Sequence, residues 1–513
     1  MLLVHPPVAK PCEPPGGIGR LYGALTQHGV KCTVLDANIE GILYLLNHPE
    51  TAAGTLTDTW GIRASRHLQG HLRLLRSRQG YQKIDRYKRA VLDLNHLLNS
   101  RARAAGVSLR LADYEDGELS PVKSADLIRS AEKPEKNIFY PYFSHRLKEL
   151  LEKGGDSIVG LSVNFLSQAL PAFAMIGFLR REFPGLRIIL GGGLITSWMS
   201  RLGGRHPFGG LVDRLVQGPG EEALLSLHGL EPRFSWNRSV PSYAPFPLQD
   251  YLAPGAVLPY STSSGCYWSG CSFCPEKAEG NLYAPIPLEK AVKDLQMLVE
   301  KVRPSLVHIL DNAIPPSFLK AAVKSPPGAA WYGFVRVTRH LTDPDFCRAL
   351  KRSGCVLLKL GLESGDQQVL DGLQKGVNLE EATAALANLK ETGIATYVYL
   401  LFGTPGEGLS EARKTLQFVT DRHDQVRFLN LALFNMPVAD QEPAGIDPRD
   451  FYEGDLSLYV DFDHPRGWSR KKVRQFLDKE FKRHPAIASI LRRTPPAFTS
   501  NHAPFFVMGE AET

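Results

Sequence analysis

Residues 257–275 read VLPYSTSSGCYWSGCSFCP: an apolar strand that runs straight into a loop carrying Cys266, Cys271 and Cys274 within nine residues. A loop at the carboxyl end of a strand is where β/α barrels keep their chemistry. The chain has seven cysteines, and Cys12, Cys32, Cys347 and Cys355 are scattered. An odd, low count argues against a disulfide framework and leaves the clustered thiols as a metal-site signal. Structural zinc needs a fourth ligand, usually from a second close pair, yet Cys347 and Cys355 are eight apart and no His lies in the loop. Three thiolates suit a cubane iron–sulfur cluster with one iron left open; zinc and unrelated free thiols are the alternatives.

Downstream, strand signals recur near Val257–Ser261, Leu306–Leu310, Trp331–Val337, Val356–Leu360, Ala395–Leu401 and Arg427–Leu433. Helical periodicity fills the gaps at Leu288–Val302, Asp343–Arg352, Leu379–Glu391 and Leu409–Thr420. Six β/α units in succession predict a complete or partial (β/α)6 TIM-like barrel over residues 257–435.

Upstream, Leu2–His5, Lys31–Leu35, Asp156–Asn164, Arg187–Leu190 and Val212–Val216 read as strands, with helices at Gly16–Gln27, at Ala169–Phe183 and from Glu221. This predicts an α/β domain, residues 1–228, with a doubly wound parallel sheet of Rossmann or flavodoxin type, which binds ligands at the carboxyl ends of its strands. An insertion of about residues 45–150 interrupts it. Residues 61–110 carry twelve Lys and Arg against Asp85 and Asp93, with apolar residues at helical spacing (Leu68, Leu72, Leu75; Ile84, Tyr87, Val91, Leu94, Leu98). A solvated basic helical face is expected; an anionic partner such as nucleic acid is the sharper alternative, weakened by the lack of interleaved stacking aromatics. Residues 229–256, rich in Pro, Ser and aromatics, are expected to link the domains. The extension 436–513 reads as irregular apart from a basic helix near Arg470–Arg483.

Net charge is +7, with 43% hydrophobic and 22% charged residues, values of an ordinary globular protein rather than a disordered one. No apolar run reaches the ~18–20 residues of a membrane span. Met1–Ala9, broken by Pro6 and Pro7, lacks the basic and long apolar regions of a secretory signal. A cytoplasmic location is expected.

The spacing Cys266-x4-Cys271-x2-Cys274, with Phe273 before the last cysteine, resembles the cluster loop of radical S-adenosylmethionine (radical SAM) enzymes, whose commonest first spacing is three residues rather than four. Gly361-Leu362-Glu363-Ser364-Gly365, then Val369-Leu370-Asp371 and Lys375-Gly376, resembles the run on that family's fourth barrel strand, and Phe402-Gly403-Thr404-Pro405-Gly406-Glu407 resembles its F-G-x-P-G-E turn. Arg336 and Asp345 stand where the family has an R…D pair. The resemblance implies a [4Fe–4S] cluster on Cys266, Cys271 and Cys274. Its open iron would chelate S-adenosylmethionine, which one electron cleaves to a 5′-deoxyadenosyl radical. By the same resemblance Phe273, Arg336, Glu363, Ser364, Gly403 and Pro405 contact S-adenosylmethionine: Arg336 as a fork to its carboxylate, Glu363 as acceptor for ribose hydroxyls or the ammonium. No catalytic residue beyond the cluster is assigned. An electron donor such as flavodoxin or ferredoxin and a small-molecule substrate are implied partners.

Residues 1–228 resemble the cobalamin-binding domain that often precedes such a barrel. Ser162, Gly191, Gly192 and Gly218 are the candidate cobalamin contacts, through glycine turns that let a corrin or its tail approach the backbone. The D-x-H-x-x-G motif that supplies an axial His appears as Asp36-x-Asn38-x-x-Gly41, so cobalt would lack that imidazole. The expected reaction is cobalamin-dependent radical methylation of an unactivated carbon or phosphorus. The alternatives are radical cyclisation, rearrangement or methylthiolation without cobalamin and, more weakly, a cluster or cobalamin sensor.

Overall fold

The computed structural model describes residues 1–48, 58–231, 239–438, 448–450, 453–496 and 502–507. Contacts divide the chain into two compact units: Met1–Val257 with Tyr452–Leu458 and Pro496–Asn501, and Leu258–Phe451 with Tyr459–Pro495 and His502–Thr513.

The first unit is built on five parallel strands, β1 Leu2–His5, β2 Thr33–Asp36, β3 Ile158–Ser162, β4 Arg187–Gly191 and β5 Arg214–Leu215. Their order is β2-β1-β3-β4-β5. β1 and β3 are buried on both faces, as unbroken apolar runs require of central parallel strands. The order reverses between β1 and β3, which makes the carboxyl ends of these strands the ligand edge.

Residues 239–256 fold against this unit. Ser242 N–H donates to Gly19 O, Leu252 N–H to Pro11 O, and the Tyr251 hydroxyl to Asp36 Oδ2. The insertion is mainly helical, with Thr59–Leu75, Arg78–Gln82, Ile84–Ala102, Ser124–Glu132 and Tyr140–Gly154. The apolar stripe read from the sequence is buried at Leu68, Leu72, Leu75, Tyr87, Val91, Leu94 and Leu98, while Arg63, Arg66, Arg73, Arg86 and Arg89 are exposed. A short antiparallel hairpin, Val107–Arg110 with Asp113–Asp116, was not expected; its strands are four residues long and its turn, Leu111–Ala112, lacks the Asn-Gly or Asp-Gly signal.

Helix Leu166–Glu182 is buried all round from Gln168 to Leu179 rather than amphipathic, because helix Ser124–Glu132 of the insertion covers its outer side. The backbones approach closely there: a Cβ on Gly177 would lie 1.8 Å from Ala131 O.

The second unit holds six strands, β6 Val257–Tyr260, β7 Leu306–Ile309, β8 Trp331–Val335, β9 Cys355–Glu363, β10 Ala395–Phe402 and β11 Phe428–Leu433. Each neighbours the next in sequence, and the pairs from β7 to β11 are parallel. Crossovers that always step the same way place the helices on one face and curl the sheet into an open (β/α)6 barrel. The tail is more regular than expected: Met436–Pro437, Pro448–Asp450 and Tyr459–Phe462 form a small antiparallel sheet, followed by helices Arg470–Phe476 and Pro485–Arg493. Among the described residues no helix is long and apolar enough to cross a membrane.

Gly177→Ala forces the helix off Ala131 O and is expected to destabilise the first unit by about 1–3 kcal/mol. A thermal unfolding midpoint equal to wild type would show that this close approach does not exist.

Candidate functional site

The cysteine loop leaves the carboxyl end of β6 as an arch. Its base is a two-residue antiparallel pairing of Ser263–Ser264 with Ala284–Pro285, and Asp311, just beyond β7, ties it down. The buried Asp311 carboxylate accepts from Thr262 N–H (2.7 Å), Thr262 Oγ1 (2.6 Å) and Ser263 Oγ (2.6 Å); burial pushes its pKa up and these bonds oppose the shift. Gly265 has φ +69° and a Cβ there would fall 2.6 Å from Leu282 O, so only glycine fits the turn before Cys266.

Within the arch Cys271 is buried, and Cys266 and Cys274 are half-buried; all three are free thiols. Among the described residues no three His, Cys, Asp or Glu side chains are gathered closely enough to hold a metal ion, the loop thiols included. What fits an iron–sulfur cluster is the donor set: three reduced thiols on one loop at a barrel mouth, with a cation beside one of them. Arg336, one residue past β8, donates from Nη1 to Cys271 Sγ at 3.7 Å. By contrast, Cys347 and Cys355 are buried as small apolar groups, and burial pushes the Cys347 thiol up to about 11.

The arch docks on the turn after β9. Ser272 N–H donates to Leu373 O (3.0 Å), Trp268 Nε1 to Gln374 O (3.1 Å), and Arg336 Nη2 to Lys375 O. The Arg336 guanidinium lies 4.0 Å from the Trp268 ring centroid. Gly376, at φ +62°, closes the platform: a Cβ there would sit 2.4 Å from Trp268 Cζ2. Ser269, Glu363 and Gln374, three of the four non-glycine residues with left-handed φ among those described, sit at this junction; such strain collects at functional sites.

Glu363 is buried at the end of β9, and its Oε1 accepts from Lys375 Nζ at 2.7 Å. The Ser364 hydroxyl is engaged by Thr415 Oγ1 (3.2 Å) and Asp366 N–H (3.1 Å). Asp345, the second residue of the R…D motif, is exposed in the first turn of helix Pro344–Arg352 and pairs with Arg348 at 2.6 Å. Phe273 packs against Phe434, Met436 and Val460, with Lys375 Nζ 5.5 Å from its ring, so the C-terminal sheet meets the cysteine loop.

At the end of β10, Gly403 (φ +84°) and the half-buried Pro405 form the turn. Glu407 folds back beneath it, and its Oε2 accepts from Gly403 N–H and Trp468 Nε1 (3.1 Å). Burial pushes the Glu407 carboxyl up to about 7, opposed by those two bonds. Trp268, Asp311 and the back-folded Glu407 had no assigned role in the sequence reading; the one available signal was the extra residue in the first cysteine spacing, which makes room for Trp268.

In the first unit the candidate cobalamin residues share the ligand edge. Ser162 ends β3 and Gly191 ends β4. Gly192 has φ +108° and a Cβ there would lie 2.4 Å from Val163 O; Gly218, φ +70°, has open space where a Cβ would stand. Thr196 joins them, bonding Gly192 O (3.1 Å) and accepting from Gly218 N–H (3.0 Å). Asn38, at the axial-His position, is buried, with its amide paired to Ala9 N–H (2.8 Å) and Ala9 O (3.0 Å).

Residues 260–419, which carry the three-cysteine loop and most of the open parallel barrel, match the family model of the Radical SAM superfamily, a match that implies a [4Fe–4S] cluster and S-adenosylmethionine. The chain is 24% identical over 189 residues (35% of this chain, 40% of that protein) to an uncharacterized methyltransferase of Pyrococcus horikoshii. It is 25% identical over 165 residues (31% of this chain, 29% of that protein) to the anaerobic magnesium-protoporphyrin IX monomethyl ester cyclase of Rubrivivax gelatinosus. The matched region thus spans less than half of either relative. In fold it is similar to the radical S-adenosylmethionine methyltransferase TsrM of Kitasatospora setae, with TM-score 0.55, 15% identity, and coverage of 96% of this chain and 89% of that one.

Glu407 has a pH signature. A folded pKa of about 7 against ~4.3 unfolded means that its contribution is present below about pH 4 and is lost as pH rises through 7, on the order of a few kcal/mol. Glu407→Gln, which keeps an acceptor for Gly403 and Trp468 but cannot ionise, is expected to lose less melting temperature than wild type between pH 5 and 8. Parallel melting profiles would refute the raised value.

Proposed function

We propose that this chain is a radical SAM enzyme that methylates an unactivated carbon or phosphorus with the help of cobalamin. The observation that carries the reading is the pairing of two ligand edges in one chain: a three-thiol arch at a barrel mouth and a 2-1-3-4-5 parallel sheet whose edge is lined by Gly192 and Gly218. The TsrM structure to which the fold is similar is described with cobalamin and a [4Fe–4S] cluster bound.

When bound, the cluster and cobalamin supply the electron that cleaves the sulfonium bond and the methyl group that is transferred. The chain supplies the rest. Cys266, Cys271 and Cys274 hold the iron, Asp311 and the Gly372–Gly376 turn fix the arch, and the Gly403–Pro405 turn, braced by Glu407, lies against the nucleoside. Lys375 neutralises one oxygen of Glu363 and orients the other for a ribose hydroxyl or an ammonium group.

Similarity to a cyclase favours, as a second reading, radical cyclisation without methyl transfer. The two part on one measurement. Protein reconstituted anaerobically with iron, sulfide and hydroxocobalamin should show a corrin absorption that survives gel filtration; a colourless corrin channel removes the methylation reading and leaves the cyclisation one. Either reading requires that dithionite-reduced protein convert S-adenosylmethionine to 5′-deoxyadenosine and that Cys271→Ala reduce this to background. Undiminished turnover in that variant would sink both.

A further inference from the structure

Arg336 is buried at 6% exposure, yet among the described residues no carboxylate pairs with it. Its partners are the Trp268 ring face at 4.0 Å, the Lys375 carbonyl and Cys271 Sγ at 3.7 Å, with the half-buried Tyr267 hydroxyl also beside it. A guanidinium taken out of water without an anion is strongly destabilising. Of the groups beside it, the Cys271 sulfur and the Tyr267 hydroxyl can carry negative charge, and a thiol is ordinarily the more acidic of the two. The fork expected to receive a methionine carboxylate is thus turned toward a sulfur and a carbonyl.

Trp268 explains the departure in spacing. It is the second residue of the four between Cys266 and Cys271, Ser269 after it takes φ +45°, and its indole is pinned by Gln374 O and by the absence of a side chain at Gly376. A cation over an indole face is attracted to it, more so when desolvated. Trp268 thereby fixes the plane of the guanidinium, and with it the line from Nη1 to Cys271.

We propose that Arg336 is the counter-charge and N–H···S donor of the iron–sulfur cluster, a positioning residue that raises the cluster's reduction potential, and that Trp268 in the lengthened spacer holds it in place. The inference rests on the reading of the loop as a cluster site. Reduction adds one negative charge to a centre already held by three thiolates, so a fixed cation and a hydrogen bond to sulfur favour the reduced form; net charge and hydrogen bonds to the sulfurs are the terms that set such potentials.

The test is an EPR-monitored redox titration of the full chain, reconstituted anaerobically without S-adenosylmethionine, with iron and sulfide assayed on each sample. Arg336→Gln is expected to retain iron and to shift the midpoint to more negative potential, lowering the reduced-to-oxidised ratio at fixed potential about tenfold (about 59 mV for one electron). Trp268→Ala should shift it the same way, and Trp268→Phe, which keeps a ring face, should restore the wild-type value. Should Arg336→Gln lose its iron, Trp268→Ala carries the test. Wild-type midpoints in the iron-loaded Arg336 and Trp268→Ala variants would overturn the proposal. Wild-type protein that binds no iron would instead overturn the cluster reading beneath it.

Discussion

A buried guanidinium without a carboxylate is the constraint on which the barrel mouth depends. Arg336 stands just past β8, the cysteine arch leaves β6, and the Gly372–Gly376 turn lies beyond β9; Arg336 bonds both the arch and the turn, which also meet directly through Ser272 and Trp268. The Trp268 face and the Lys375 carbonyl, together with Cys271, are what the structure sets against this buried charge. The arrangement therefore links three separate strand ends through one electrostatic requirement, and the fold of the arch and the position of Cys271 are no longer independent.

The remaining charged groups at the mouth follow a different rule. Asp311 spends its oxygens on Thr262 and Ser263, Glu407 spends one on Gly403 and Trp468, and Glu363 pairs with Lys375. Asp311 and Glu407 each satisfy a backbone N–H just past a strand end, Thr262 and Gly403. They act as braces for the backbone turns. Glu363 differs from both in its left-handed backbone, φ +69°, and it is the one of the three proposed to contact S-adenosylmethionine.

Much of this was legible in the sequence because it is local. The cysteine spacing, the glycine turns and the alternation of short apolar strands with periodic helices are all read within windows of about twenty residues, and the strands fall where expected to within a few residues. β9 is longer than its predicted Val356–Leu360 because Lys359, Gly361 and Glu363 interrupt the apolar pattern while still pairing with β10. The small C-terminal sheet was illegible for a similar reason: strands of two to four residues, two of them containing proline, carry no period. The lengthened cysteine spacing marks Trp268 but not its partner, since Arg336 is brought onto the indole only by the barrel closing.

Asn38 stands where the D-x-H-x-x-G motif would carry its His, and the fold uses its side chain for structure. The helix Ala37–Asn47 begins at Asp36, whose Oδ1 accepts from the N–H groups of Asn38 and Ile39 and whose Oδ2 accepts from Tyr251. The Asn38 amide then closes a two-way pair with Ala9 beyond β1. A histidine here would present a ring nitrogen in place of an amide and could not both accept from Ala9 N–H and donate to Ala9 O from adjacent atoms. The side chain that could have reached a cobalt instead fixes the loop after β1 to the start of the next helix. A corrin seated at the Gly192–Gly218 edge, as proposed, would have no side-chain nitrogen from this helix to draw its lower face down, and the hold on it falls to shape and to backbone approach.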